Sequence, residues 1–173
     1  MLIIFGGLPG SGKTTLARAL AGRLAAVHLR VDTIEHVLMA AGATGDEIGP
    51  AGYDIAGAVA VDNLRLGHVV IADSVNPWPV TREAWRAVAA QASVAAVEVE
   101  TVCSDSDEHR RRVETRTSDI AGFALPTWDE VEARDYRPWP EADLSIDTFG
   151  RSEEACLMEL LAFLAGRGIH PPA

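Results

Sequence analysis

Apolar runs of strand length alternate with amphipathic helical patterns from one end of the chain to the other. Strands are predicted at 2–5, 27–31, 68–72, 94–102 and 144–146. Helices are predicted at 14–25, 34–41, 53–66, 81–90, 105–117, 128–134 and from 152 onward. Because helices separate consecutive strands, the pattern predicts an α/β fold with a parallel sheet and right-handed crossovers.

Glycine-rich or acidic positions follow the first three predicted strands directly. The first strand leads into the glycine-rich stretch 7–14, the second ends at Asp32, and the third ends at Asp73. Ligands of parallel sheets bind at the carboxyl ends of the strands. We therefore expect these three features to lie on the same rim of the sheet.

The stretch 7–14 fits the pattern G-x-x-x-x-G-K-[ST] at every defined position, between an apolar strand and a helix. Its glycines allow a tight turn whose N–H groups face a phosphate, and the helix N-terminus adds a positive dipole end. Lys13, the only lysine among 15 Lys and Arg residues, is predicted to reach the β- and γ-phosphates, and the Thr14 hydroxyl to hold Mg²⁺. The alternative is a chance glycine-rich turn. The predicted nucleotide-binding residues are Gly7, Pro9, Gly10, Ser11, Gly12, Lys13, Thr14 and Thr15.

Two carboxylates at predicted strand ends are candidates for the chemistry. Asp32 could orient or deprotonate a substrate hydroxyl, and it could also be the N-cap of the helix 34–41. Asp73 follows an apolar strand, as in Walker B segments whose carboxylate reaches Mg²⁺. Its alternatives are binding of the acceptor or a polar start to a loop. Thr14 and Asp73 are therefore the predicted metal-binding residues.

An arginine cluster at 110–112 and Arg116 follows the fourth predicted strand, where a closing lid at approximately 106–127 is expected. On a continuous helix, Arg112 and Arg116 share a face and could clamp phosphoryl oxygens during transfer. The alternative is a solvated helix face whose arginines pair with neighbouring glutamates. Arg82 and Arg86, also spaced i and i+4, are predicted to be solvated at the surface, with contact to an anionic acceptor as the alternative.

Length and composition restrict the kind of protein further. A chain of 173 residues indicates a single domain, 1–173, and a net charge of −10 argues against broad nucleic-acid binding. No apolar run reaches the ~20 residues that span a bilayer, and the apolar start is too short for a signal peptide. Cys103 and Cys156 lack metal-ligand spacing and are expected to be reduced and partly buried, as in the cytoplasm.

The glycine-rich loop, the pair Val31-Asp32, the segment 71–74 and the arginine helix together resemble the small P-loop kinases. The resemblance is to short bacterial kinase-like proteins of the AAA type, and relatives include chloramphenicol phosphotransferase, adenylylsulfate kinase, gluconate kinase and the zeta toxins. It implies a three-layer α/β/α P-loop NTPase fold whose five-stranded parallel sheet has the order 2-3-1-4-5, with a small helical lid.

The same resemblance assigns roles to individual residues. It implies that Asp32 is the base, that Arg112 and Arg116 act from the lid, and that the segment 147–150 lies near adenine. The chain has Ala72-Asp73 where chloramphenicol phosphotransferase has two adjacent acidic residues. The acceptor-binding segment, roughly 42–55, does not match well enough to name chloramphenicol as the substrate.

These features predict a cytoplasmic ATP-dependent kinase that transfers the γ-phosphoryl group to a hydroxyl of a small-molecule acceptor, with ATP and Mg²⁺ as cofactors. The chain has no Asn/Thr-Lys-x-Asp guanine motif, which favours ATP over GTP. One alternative is a nucleotide or nucleic-acid 5′-end kinase, and the acidic charge disfavours a polynucleotide acceptor. Another is an ATP-hydrolysing regulatory module with a protein partner. The predicted catalytic residues are Lys13, Asp32, Arg112 and Arg116.

Overall fold

The computed structural model describes residues 1–44 and 48–171, so part of the expected acceptor-binding segment, roughly 42–55, lies outside the described residues. The strands are β1 (Leu2–Gly6), β2 (Val27–Arg30), β3 (Val70–Asp73), β4 (Ala96–Val102) and β5 (Leu144–Asp147). The helices of eight or more residues are α1 (Lys13–Leu24), α2 (Val31–Ala40), α3 (Ala51–Arg65), α4 (Pro79–Gln91), α5 (Ser106–Thr115) and α7 (Glu153–Ala165). A short helix, α6 (Trp128–Glu132), precedes β5.

The five strands form one parallel sheet in the order β2-β3-β1-β4-β5. This confirms the predicted fold class and strand order. The central strand β1 is buried along its whole length, as its unbroken apolar sequence requires for a strand covered on both faces. The carboxyl ends of β1, β2 and β3 therefore share one rim.

Helices cover both faces of the sheet and give the fold three layers. Ile3 and Phe5 of β1 face a core formed with α1 and α7, in which Leu16, Leu20 and Leu160 are buried. The alternate residues of β1, Leu2 and Ile4, face a second core built with α2, α3 and α4. Because strand side chains alternate between faces, a five-residue apolar strand supplies both cores.

The second helix begins earlier than the pattern predicts. The sequence places a strand through Val31 and a helix from Ile34, but α2 begins at Val31, which is buried in the second core. Asp32 therefore lies in the first turn of α2, with Arg30 at the N-cap position. It is neither a strand-end residue nor the N-cap. Periodicity could not separate the cases, because a buried Val fits a strand end and a helix start equally well.

The fourth helix also begins earlier than predicted. The sequence predicts a helix from residue 81, but Pro79 is the first residue of α4, where its missing N–H group costs no hydrogen bond. The segment 137–140 is irregular, as its two prolines predict. The other predicted boundaries differ from the observed ones by a few residues at element ends.

Arg82 on α4 is buried, so the prediction of a solvated surface residue is wrong. Its side chain is 2% exposed, and it donates hydrogen bonds to the carbonyl oxygens of Asn76 (3.0 Å), Pro138 (2.8 Å) and Arg137. Its guanidinium also lies 4.7 Å from the ring centroid of Trp139. Arg82 thereby fastens the loop 137–139 to the rim. Arg86 is half-exposed and pairs with the buried Glu98 (2.7 Å).

The two cysteines are unpaired, with Cys156 buried and Cys103 half-buried. Burial raises the pKa of both thiols above its ordinary value, which keeps them in the less reactive protonated form. Within the described ranges, no helix is long and apolar enough to cross a lipid bilayer.

Candidate functional site

The glycine-rich loop 7–12 joins β1 to α1 and is enclosed on two sides. Gly7 has φ of 139°, and a Cβ there would stand 2.4 Å from the carbonyl oxygen of Thr101 on β4. Gly10 has φ of 89°, and a Cβ there would stand 2.7 Å from Val113 on α5. Only glycine combines these backbone angles with such close neighbours. The loop therefore fits between β4 and α5 only with glycine at positions 7 and 10.

Side chains from distant segments hold the loop from behind. The Ser11 and Thr101 hydroxyls are 2.7 Å apart, and the Thr101 hydroxyl donates to the carbonyl oxygen of Gly6 (3.2 Å). The Thr148 hydroxyl lies 3.0 Å from the carbonyl oxygen of Ser11. His109 of α5 donates from Nε2 to the carbonyl oxygen of Pro9 (2.8 Å). These contacts fix the loop in its turn.

Thr14 and Asp73 meet at the rim. The Thr14 hydroxyl donates to Oδ1 of Asp73 (3.2 Å), and Nε2 of His28 on β2 lies 3.1 Å from Oδ2 of the same carboxylate. Asp73 is 1% exposed. Burial alone would raise the pKa of Asp73, but the His28 hydrogen bond and the Lys13 charge outweigh burial and hold it below the ordinary value. Asp73 is therefore a buried carboxylate kept in its ionised form.

The Thr14 and Asp73 oxygens fit a magnesium ion. Mg²⁺ prefers hard oxygen donors and is usually held by a hydroxyl or one or two carboxylates, with waters and phosphates completing its shell. A hydroxyl and an ionised carboxylate stand side by side here, at the start of α1 beside Lys13. The donor set therefore suits Mg²⁺ bound together with a nucleotide.

Asp32 and Glu35 lie on one side of α2, at i and i+3, and both line a large cavity next to the loop. Oδ2 of Asp32 is 3.6 Å from the Arg30 guanidinium. Burial, and next the charge of Asp32, raise the pKa of Glu35 above its ordinary value despite the opposing charge of Arg134. Asp32 is thus the carboxylate that lies beside Arg30 at the end of β2.

Arg112 and Arg116 do not share a helix face, because α5 ends at Thr115 and Arg116 has an extended backbone. Arg112 is tied to Glu108 (2.7 Å) and to the hydroxyl (2.7 Å) and carbonyl oxygen (3.1 Å) of Thr148. Nε and one terminal nitrogen of Arg116 are buried and have no hydrogen-bond partner in the described part of the chain. The two arginines therefore occupy different places in the site.

The remaining arginines of the cluster lie on the solvated side of α5. Arg110 pairs with Glu114 (2.8 Å) and Arg111 pairs with Glu108 (2.7 Å). Both arginine side chains are exposed, and exposed pairs of this kind are screened by solvent and contribute little to stability. These two arginines follow the pattern of a solvated helix face with local ion pairs.

Two cavities meet at the loop. The first, of about 480 Å³, runs from the loop along Arg112 and Thr148 to Cys156. The second, of about 920 Å³, extends past Asp32 to Trp78. Both cavities are lined by Lys13, Thr14, Arg30, Arg116 and Leu125. Three cationic side chains and one hydroxyl are thus concentrated where the cavities join.

The segment after α5 covers the second cavity. His36 of α2 and Phe123 make an edge-to-face ring contact with centroids 5.7 Å apart. Asp119 accepts hydrogen bonds from Arg30 (2.8 Å) and from Arg18. The residues 116–125 therefore form a cover attached to α1, β2 and α2.

Several of these residues were not singled out from the sequence, namely His28, Arg30, Glu35 and Asp119. On β2, His28 and Arg30 alternate with the apolar Leu29, so their side chains lie on the same face of the strand. This alternation is the one local signal that could have indicated His28 and Arg30 as site residues. Among the tryptophans, Trp139 is buried against Arg82 and Trp128 packs on His109, whereas Trp78 lines the second cavity.

A glycine-rich loop joining a buried central strand to a helix, in a parallel sheet of order β2-β3-β1-β4-β5, defines a P-loop nucleoside-triphosphate-binding fold. The chain belongs to the AAA_33 family, described as an AAA domain, whose sequence profile matches residues 2–133. The predicted resemblance to P-loop kinase-like domains is thereby confirmed. No curated protein matches the sequence.

Solved structures share this fold along nearly their whole length. APS kinase CysC of Mycobacterium tuberculosis, solved in complex with AMPPNP and APS, has a TM-score of 0.70 at 23% identity, covering 95% of this chain and 96% of that one. A gluconokinase from Sinorhizobium meliloti 1021 has a TM-score of 0.65 at 18% identity, covering 95% and 91%. Chaetomium thermophilum Kti12, in complex with ADP-AlF3, has a TM-score of 0.63 at 22% identity, covering 99% and 100%. At these identities the likeness establishes the fold alone.

The contact between His28 and Asp73 predicts a measurable coupling. Removing the donor in His28→Leu leaves Oδ2 of a buried carboxylate without its partner, so unfolding free energy should fall by about 1–3 kcal/mol. In a double-mutant cycle with Asp73→Asn, the two losses should be non-additive by at least ~0.5 kcal/mol, measured by urea unfolding. The exposed His68→Leu serves as the control. Additive losses would contradict a contribution of this hydrogen bond.

Proposed function

We propose that the protein is an ATP-dependent kinase that transfers the γ-phosphoryl group to a hydroxyl of a small-molecule acceptor. The observation that carries the proposal is the junction of the two cavities at Lys13, Thr14, Arg30 and Arg116. A phosphoryl group held at this junction is open to the nucleotide on one side and to an acceptor on the other.

The first cavity suits the nucleotide. It runs from the P-loop residues Gly10 and Gly12 past Thr148, which belongs to the segment after β5 that the family resemblance places near adenine. A triphosphate bound there would pass Lys13, the residue that reaches the β- and γ-phosphates in P-loop proteins. The complex of APS kinase CysC with AMPPNP supports ATP as the donor.

The second cavity suits an acceptor of modest size. It combines polar groups near the junction with the apolar surfaces of Met39, Phe123 and Trp78 farther away, a common composition for small-molecule sites. Its volume of about 920 Å³ lies within the range of small-molecule sites.

The transfer assigns a role to each group at the junction. The acceptor oxygen attacks the γ-phosphorus as the bond to the β,γ-bridging oxygen breaks, and the hydroxyl proton passes to Asp32. Lys13 holds the phosphates, and the guanidinium of Arg116 stabilises the charge on the transferred group. Mg²⁺ held by Thr14 and Asp73 would neutralise charge on the β- and γ-phosphates when bound. ADP leaves with the bridging oxygen.

A screen for the acceptor tests the proposal. Purified protein with ATP and Mg²⁺ is incubated with pools of hydroxyl-bearing metabolites and antibiotics, and ADP release is followed together with the mass of the products. Acceptor-stimulated ADP release with a product heavier by one phosphoryl group is expected. Nucleotide-dependent association with another protein, without a phosphorylated product in any pool, would support the regulatory alternative instead.

Asp32→Asn separates transfer from nucleotide binding. The amide cannot take the hydroxyl proton, and loss of a positioned base typically lowers the rate by about 10²–10⁴. ATP affinity should be retained, because Asp32 lines only the second cavity. The measurement is turnover with the acceptor from the screen, alongside the dissociation constant for ATP. An Asn variant with wild-type turnover would remove Asp32 as the base.

Arg116→Ala should mainly lower kcat, whereas Arg112→Ala should mainly lower the affinity for ATP. Arg116 lines both cavities, whereas Arg112 lines only the first. Loss of an arginine on the transferred group costs roughly 10³–10⁵ in kcat in well-studied systems, so Arg116→Ala should lose kcat far more than ATP affinity. Arg112→Ala should mainly weaken ATP binding, because it frees Thr148. Equal losses of kcat and affinity in Arg116→Ala would contradict its assignment.

A further inference from the structure

Arg30 at the end of β2 is a cation at the junction that was not a candidate in the sequence, unlike Lys13 and Arg116. Its side chain is 13% exposed, and it lines both cavities together with Arg116. The β2–β3 register pairs Arg30 with Asp73, which places Arg30 at the same height on the rim as the predicted magnesium-binding carboxylate. No other residue of β2 lines either cavity.

The hydrogen bonds of Arg30 leave part of its guanidinium available. One terminal nitrogen donates to Oδ1 of Asp119 (2.8 Å), and the other is 3.6 Å from Oδ2 of Asp32. The Nε of Arg30 is buried and has no partner among the residues that the structure describes. Buried N–H groups without partners are rare and costly. An anion at the junction would satisfy this donor.

Arg116, at the same junction, also has guanidinium nitrogens that no described residue binds. Two of its guanidinium nitrogens are buried without a partner in the described ranges. Burial lowers the pKa of Arg116, the Asp32 charge raises it, and the nearby Arg30 charge lowers it again, so the pKa lies below its ordinary value. Two guanidinium groups close enough to repel each other gain most from a shared anionic ligand.

Resting on the proposed function, we propose that Arg30 binds the transferred phosphoryl group together with Arg116. Arg30 then has the role that was expected of Arg112, and Arg112 belongs to the nucleotide side of the site. The arginine pair thus comes from two separate elements, β2 and the cover after α5. The pair is complete only when residues 116–125 lie over the junction.

A purely structural role for Arg30 would be to hold the cover through Asp119. Arg18 of α1 makes the same kind of contact with Asp119, but it lines only the first cavity. Arg18 is therefore a matched control. A variant that loses the Asp119 contact alone separates anchoring of the cover from phosphoryl binding.

The test measures ADP affinity with Mg²⁺, in the presence and absence of aluminium fluoride, which mimics the transferred phosphoryl group. Transition-state analogues bind at least ~10² more tightly than ground-state ligands, so wild-type protein should bind ADP much more tightly with aluminium fluoride. This gain should fall by about 10-fold or more in Arg30→Met, as expected for charged hydrogen bonds, and similarly in Arg116→Met. Arg30→Lys should retain part of the gain. Arg18→Met, which removes one of the two arginine contacts of Asp119 just as Arg30→Met does, should keep the wild-type gain.

Two results would overturn the assignment, and they differ. A wild-type gain that is retained in Arg30→Met, or lost equally in Arg18→Met, would show that Arg30 only anchors the cover. A wild-type protein that binds ADP but gains nothing from aluminium fluoride would contradict the proposed function and the Arg30 assignment together. If Arg30→Met does not fold, Arg30→Gln is measured by the same criteria.

Discussion

The confinement of the phosphate loop between β4 and α5 is the constraint on which the rest of the site depends. Gly7 leaves no room for a side chain beside Thr101, and Gly10 leaves none beside Val113. The loop is therefore packed directly against both β4 and α5. Since α5 ends at Thr115, its position also determines where Arg116 and the cover begin. The close packing of Gly10 against Val113 of α5 thus connects the nucleotide half of the site to the cover.

Charge at the site contrasts with charge on the rest of the molecule. The chain carries a net charge of −10, yet Lys13, Arg30 and Arg116 meet where the two cavities join. Such a local concentration attracts a small anion, whereas the overall field repels an extended polyanion. This distribution matches a kinase for small acceptors better than one for nucleic-acid ends.

The sheet and the phosphate loop could be predicted because their signals are local. Strand-length apolar runs, helical spacing and the glycine pattern each lie within a short stretch of sequence. Burial of Arg82 could not be predicted, since two of its carbonyl acceptors belong to Arg137 and Pro138, far along the chain. The same holds for His28, which contacts Asp73 through the packing of neighbouring strands. Long-range contacts of this kind leave no periodic trace in the sequence.

The prediction that was wrong within the site is the end of α5. Spacing placed Arg112 and Arg116 on one helix face, and no proline or glycine between them indicates a helix end. The chain leaves the helix at Arg116, and the following cover is attached through Asp119 to Arg18 and Arg30. In our proposal, the two arginines that bind the transferred phosphoryl group are therefore Arg30 of β2 and Arg116 of the cover, which belong to different elements.

A crystal structure with AMPPNP and Mg²⁺ tests the central claim most directly, because that claim concerns where the terminal phosphate lies. The account predicts the γ-phosphate at the junction of the two cavities, within hydrogen-bonding distance of Lys13 and Arg116 and open toward Asp32. A γ-phosphate directed away from the second cavity, with Lys13 and Arg116 making no contact to it, would contradict the account.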